Sequence, residues 1–86
     1  MIKMWIKTFS EGKIVKQAVY TAEEKMDYAR FHLHVYEACR AVDESSPVIV
    51  KTHIFNYAKY NYVKFLPDDF VESVDFDKMI VENIAR

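Results

Sequence analysis

The chain has 86 residues, 51% hydrophobic and 29% charged, which makes one globular domain with no room for a second core and too apolar for disorder. A net charge of −1 exerts no overall pull on nucleic acid or acidic membranes. A single glycine, Gly12, stands where a typical composition supplies about six. That shortage excludes phosphate-cradling loops, dinucleotide turns and a nucleophile elbow, all of which need glycines for close backbone approach.

Ile2 to Thr8 alternates, with Ile2, Met4 and Ile6 on one side and Lys3, Trp5 and Lys7 on the other, the pattern of a strand with one buried face. Ser10-Glu11-Gly12 supplies a turn, and Gly12 is free to take the positive φ that closes a hairpin. A two-residue turn would set Lys7 against Lys16, and like charges directly opposite are unfavourable. A four-residue loop from Phe9 to Gly12 is therefore expected, which puts Ile6 across from Val15 and Ile2 across from Val19.

Thr21 to Val42 reads as one long helix opened by a Thr21–Glu24 capping box, with no Gly or Pro inside it. Two apolar stripes run along it. Ala22, Met26, Ala29, Leu33 and Tyr36 form one; Tyr28, Phe31, Val35, Ala38, Cys39 and Val42 form the other, nearly opposite. A helix on a single sheet buries only one stripe, so the second needs a cover of its own.

Glu44-Ser45-Ser46-Pro47 ends that helix, and Val48 to Phe55 is rich in β-branched residues, as strands are. From Ile54 onward the spacing of Ile54, Tyr57, Ala58, Tyr62 and Phe65 also fits a helix. The mirrored triplets Phe55-Asn56-Tyr57 and Tyr60-Asn61-Tyr62 favour a hairpin, because aromatic pairs across strands are stabilising; one long strand is the alternative. Pro67-Asp68-Asp69 can open a short helical turn, and Phe76 to Ala85 reads as a helix capped by Asp75. The predicted order is ββαββα: a single α+β domain over residues 1–86, a mainly antiparallel sheet with one long helix on a face and a shorter C-terminal helix.

There is no apolar run of about 18 residues and no charged segment leading into an apolar one, so neither a membrane span nor a signal peptide is read. Cys39, the only cysteine, excludes an internal disulfide and suits a reducing cytoplasm. Charge is unevenly spread. Residues 1–66 hold ten Lys/Arg against seven Asp/Glu, a balance of +3, whereas residues 67–86 hold two against six, a balance of −4.

No catalytic constellation emerges. Ser10, Ser45, Ser46 and Ser73 have no adjacent histidine, and Cys39 sits among Val35 and Val42, where a thiol behaves as a small hydrophobe. His32 and His34 are two apart and point to different sides of a helix; His32 would border the interface and His34 would sit in water. Neither they nor the acids Asp68, Asp69, Glu72, Asp75 and Asp77 have metal-ligand spacing, so no cofactor or metal is expected.

Two surfaces remain as candidates. The first is a protein contact, most simply a homodimer, through the spare helix stripe (Tyr28, Phe31, Val35, Cys39, Val42) or the tyrosines Tyr57, Tyr60 and Tyr62. The alternative is single-stranded RNA or DNA on an outer sheet face carrying Lys3, Trp5, Lys7, Lys16, Lys51, His53, Phe55, Tyr62 and Lys64, where cations track phosphates and rings stack on bases. The plainer account of those lysines is solvation, with the acidic C-terminal helix lying over Trp5. The expectation is a small cytoplasmic, non-enzymatic protein acting through another protein chain.

Overall fold

Glu11 and Gly12, with φ of 53° and 78°, form a two-residue turn with both central residues in the left-handed region. From it run β1 (Ile2–Ser10) and β2 (Lys13–Ala22), in a computed structural model that describes residues 1–85. The four-residue loop is thus replaced by a tighter one. What avoids the clash of Lys7 with Lys16 is a bulge: the register slips between Thr8 and Phe9, so Lys7 faces Gln17, Ile6 faces Ala18 and Ile2 faces Ala22.

The long helix is shorter than its periodicity suggested. Thr21 and Ala22 pair with Lys3 and Ile2 as the end of β2, so the Thr21–Glu24 box is overridden by sheet pairing. The chain re-enters helical geometry only at a 3-10 turn (Tyr28–Arg30), where Asp27 Oδ1 accepts from the Ala29 N–H at 3.0 Å. This turn leads straight into α1 (Phe31–Ala41).

Residues 51–60, expected in a strand or hairpin, form α2 (Lys51–Tyr60). Val48 N–H donates to Asp69 O at 2.7 Å and holds the β-branched run as an extended connection outside the sheet. His53 Nδ1 accepts from the Val50 N–H at 3.0 Å and caps the helix start. Asn61 stops the helix in the left-handed conformation (φ 64°), its N–H donating to Tyr57 O at 3.0 Å. The mirrored aromatic triplets therefore never face each other.

β3 (Tyr62–Phe65) follows, then the expected short turn as a 3-10 helix at Pro67–Asp69, then β4 (Lys78–Asn83) where a C-terminal helix was predicted. Met79 and Val81 point to the core while Lys78, Ile80 and Glu82 point away, a strand's alternation that apolar Ile80 disguises. The observed order is ββααββ, not ββαββα, in an α+β domain with a fully antiparallel four-stranded sheet ordered β2-β1-β4-β3.

Both helices lie on one face. Ile2, Met4, Ile6, Val63, Phe65, Met79 and Val81 from the sheet meet Phe31, Val35, Ala38, Cys39 and Tyr57 from the helices, every one at or below 3% exposure. The Phe31 and Tyr57 rings meet at 4.9 Å between centroids and join the two helices over the sheet.

Candidate functional site

No element among the described residues covers the other face of the sheet. Strand alternation and register place Lys3, Trp5, Lys7 and Phe9 of β1, Lys78, Ile80 and Glu82 of β4, Tyr62 and Lys64 of β3, and Ile14, Gln17 and Val19 of β2 on it. Across the strands, Val19, Trp5, Glu82 and Tyr62 form one row, and Gln17, Lys7, Ile80 and Lys64 the next. Four lysines thus stand against one acid. The acidic tail does not lie over Trp5, because the segment that was to form its covering helix is itself a central strand.

The indole at the centre of this face is held in place. Trp5 Nε1 donates to Gln17 Oε1 at 3.0 Å, and the Lys7 ammonium sits 3.7 Å from the ring centroid. Lys7 in turn bonds Glu82 Oε1 at 3.0 Å and is only 8% exposed, its stem laid along the sheet. Lys78 lies 5.0 Å from the Phe9 centroid. Lys3, Lys64 and Lys78 make no ion pair among the described residues, so their charge faces solvent uncompensated.

Four residues assigned to this face from sequence lie elsewhere. Lys16 points to the helix side and bonds Glu44 at 3.0 Å, a contact that raises its pKa, because the bulge places it opposite Thr8. Lys51, His53 and Phe55 are on α2, where helical turns scatter them. His53 packs on Phe65 at 4.7 Å, and Phe55 stands exposed beside Lys59.

The proposed protein-contact stripe is also corrected. Phe31, Val35, Cys39 and Val42 form the core itself, and Tyr57 is 2% exposed, because this stripe, rather than its opposite, meets the sheet. Burial raises the Tyr57 hydroxyl pKa and pushes the Cys39 thiol up to about 12, so Cys39 is no nucleophile. Tyr28, Tyr60 and Tyr62 remain exposed, on three separate elements. The bare flank of α1 belongs to the other stripe, with Leu33 at 41% and Tyr36 at 51% exposure.

That flank borders a cleft of about 410 Å³ between α1 and the outer edge of β2. In its wall is a group that sequence reasoning missed. The Tyr20 hydroxyl is 2.9 Å from His34 Nδ1, and Glu24 Oε1 lies 3.0 Å from His34 Nε2 but off the line of a hydrogen bond, an ionic contact once the ring is protonated. His34 is buried and His32 exposed, the reverse of expectation, since α1 turns its His34 side to β2. Because Nε2 makes no hydrogen bond to the carboxylate, the three groups form no continuous proton relay, and desolvation raises the Tyr20 pKa, the wrong direction for a nucleophile. The missing signal was the end of β2; with residues 21–42 read as one helix, Tyr20 and His34 could not meet.

A second cleft of about 240 Å³ lies beside the hairpin, with Lys16, Glu44 and Asp75 in its wall, and its one cation is already paired. No group of three metal-ligating side chains occurs among the described residues, and no described helix is long and apolar enough to cross a membrane. No protein-family model, curated protein or solved structure matches the chain.

Proposed function

We propose that this chain is a non-enzymatic cytoplasmic binding protein whose working surface is the open sheet face, and that its occupant is single-stranded RNA or DNA. The observation that carries the reading is the uncovered face itself, where Trp5, Phe9 and Tyr62 are interleaved with Lys3, Lys7, Lys64 and Lys78 around one acid. Rings on an open sheet face, here exposed Tyr62 and half-buried Trp5 and Phe9, stack with bases whatever their identity, and lysines follow the phosphates. Trp5 and Tyr62 stand two strands apart, roughly 10 Å at ordinary strand spacing. Gln17 and Lys7 hold the indole in one orientation before any ligand arrives, which lowers the entropy lost on binding.

Trp5 is the only tryptophan, so its emission reports directly on this face. Titration with oligothymidylate at low salt is expected to quench it. With Lys3, Lys64 and Lys78 each meeting one phosphate, log K should fall with log[salt] at a slope of about −2. Unchanged emission, together with unchanged anisotropy of a labelled oligonucleotide at low salt, overturns the reading.

A second reading, protein contact and most simply self-association, keeps one specific support. Leu33 and Tyr36 are large, exposed and adjacent to the unpaired side of β2, one of the two edge strands of the sheet.

A further inference from the structure

We infer that β2 pairs antiparallel with β2 of a second copy of this chain, joining two four-stranded sheets into one of eight strands. The inference rests on the self-association reading and names its surface and register.

The two edges of the sheet are built differently. β3 is four residues long, is closed off by Asn61 and Pro67, and carries Lys64, so it offers little to a neighbour. β2 is ten residues long and hydrogen-bonded on one side only. From Gln17 to Ala22 it contains no charge, no proline and no glycine, the devices by which edge strands are normally guarded.

Charge flanks this neutral stretch in opposite senses. Lys13 and Lys16 precede it; Glu23, Glu24 and Lys25, together net acidic, follow it. Parallel self-pairing would set like against like, whereas antiparallel self-pairing sets each basic end against an acidic one. Directly opposite residues must share a face, so the two-fold axis passes through one residue rather than between two. Centred on Tyr20, the register pairs Ala18 with Ala22 and Val19 with Thr21; just past this ladder, where the chain bends at Glu23 and Glu24, Glu24 of the second copy comes beside Lys16. Both side chains are already on the helix side, where Lys16 meets Glu44 and Glu24 meets His34.

The same two-fold brings the bare helix flanks together. α1 packs over β2, and strands pair about 4.8 Å apart, so Leu33 and Tyr36 of the two copies come within side-chain reach above the joined edge. Apolar surface left open in one copy is thereby covered by the other. The two open faces fall on the same side, which puts both Trp5 side chains on one continuous surface.

The test is sedimentation of the full chain together with a charge swap. Wild type should be a dimer at micromolar concentration. Lys16→Glu and Glu24→Lys each set like charges beside one another twice per dimer, and each should raise the dissociation constant about tenfold or more. The double variant K16E/E24K should return it to near the wild-type value. Within one chain the swap worsens matters, opposing Glu44 at one end and His34 at the other, so recovery can come only from the partner copy. Circular dichroism checks that each variant folds. In parallel, V19C/T21C should form a disulfide-linked dimer on mild oxidation, and Val15→Cys should not. A dimer that ignores the swap, does not cross-link and dissociates on Leu33→Glu keeps self-association but overturns the edge pairing. A strict monomer up to millimolar concentration overturns both.

Discussion

The two faces of the sheet are made from neighbouring residues of the same strands and have opposite fates. On β4, Val81 is fully buried beneath the helices, while Ile80, one residue earlier, lies on the uncovered face. On β1, Met4 and Ile6 are fully buried and Trp5 between them is held by Gln17 and Lys7. Apolar character alone does not separate the faces, since both carry it. The separation comes from lysine: none points into the core proper, and Lys3, Lys7, Lys64 and Lys78 all stand on the open side.

The largest expected effect follows from that contrast. Val81→Lys buries an unpaired ammonium among Ile6, Val63 and Met79 and should unfold the domain or cost more than about 3 kcal/mol in urea denaturation. Ile80→Thr keeps a β-branched residue on the open face, adds no charge between its cross-strand neighbours Lys7 and Lys64, and should cost less than about 1 kcal/mol. Equal losses would mean that the open face is covered in solution, which favours a protein occupant over nucleic acid.

A second, smaller effect separates the faces by pH. Cys39 and Tyr57 lie only on the covered side, and burial raises both pKa values. Below about pH 9 both groups are neutral whether the chain is folded or not, and the full stability is present. Above it the unfolded chain releases the Cys39 proton, whose ordinary value is 9.0, while the folded chain holds it to about 12. Stability should therefore fall between pH 9 and 12, by on the order of 2 kcal/mol at pH 11, and Cys39→Ser should reduce the slope. Urea midpoints measured from pH 8 to 11 check this.

How much of this was legible in the sequence follows from where local and tertiary signals agree. Ile2, Met4 and Ile6 alternate with polar residues and lead to a turn at Gly12, and the β1–β2 hairpin is there, though the bulge that spares Lys7 from Lys16 has no local signature. The core stripe of α1 was visible as periodicity, but two stripes were present and nothing local says which one meets a sheet. Residues 51–60 and 78–83 exchanged types for complementary reasons. Val48 to Val50 carried strand propensity into a connection that forms no ladder, and Ile80 filled the gap in β4's alternation so that a helical spacing emerged. Asn61 was the overlooked sign, an asparagine able to take the left-handed position that ends a helix. Trp5, Lys7, Lys3 and Lys64 were placed correctly because β1 and β3 keep a period of two; Lys51, His53 and Phe55 were not, because a helix scatters residues that a strand would align.

The smallest effect concerns Lys64, at the far edge of the open face on β3. Its side chain is exposed and makes no ion pair among the described residues, so Lys64→Ala should leave the urea midpoint unchanged within about 0.5 kcal/mol. Its value lies in what it does to ligand affinity. If a single strand crosses from Trp5 to Tyr62, the phosphates beyond Tyr62 pass Lys64, and removing this charge should flatten the salt slope by about 0.7, one phosphate's worth for single strands. Trp5→Ala should instead lower affinity at every salt concentration by a similar factor, because stacking releases no counterions. Two variants on one face that act on slope and on intercept separately identify the ligand as a polyanion with bases; a partner protein held by apolar contact would leave the slope unmoved by either.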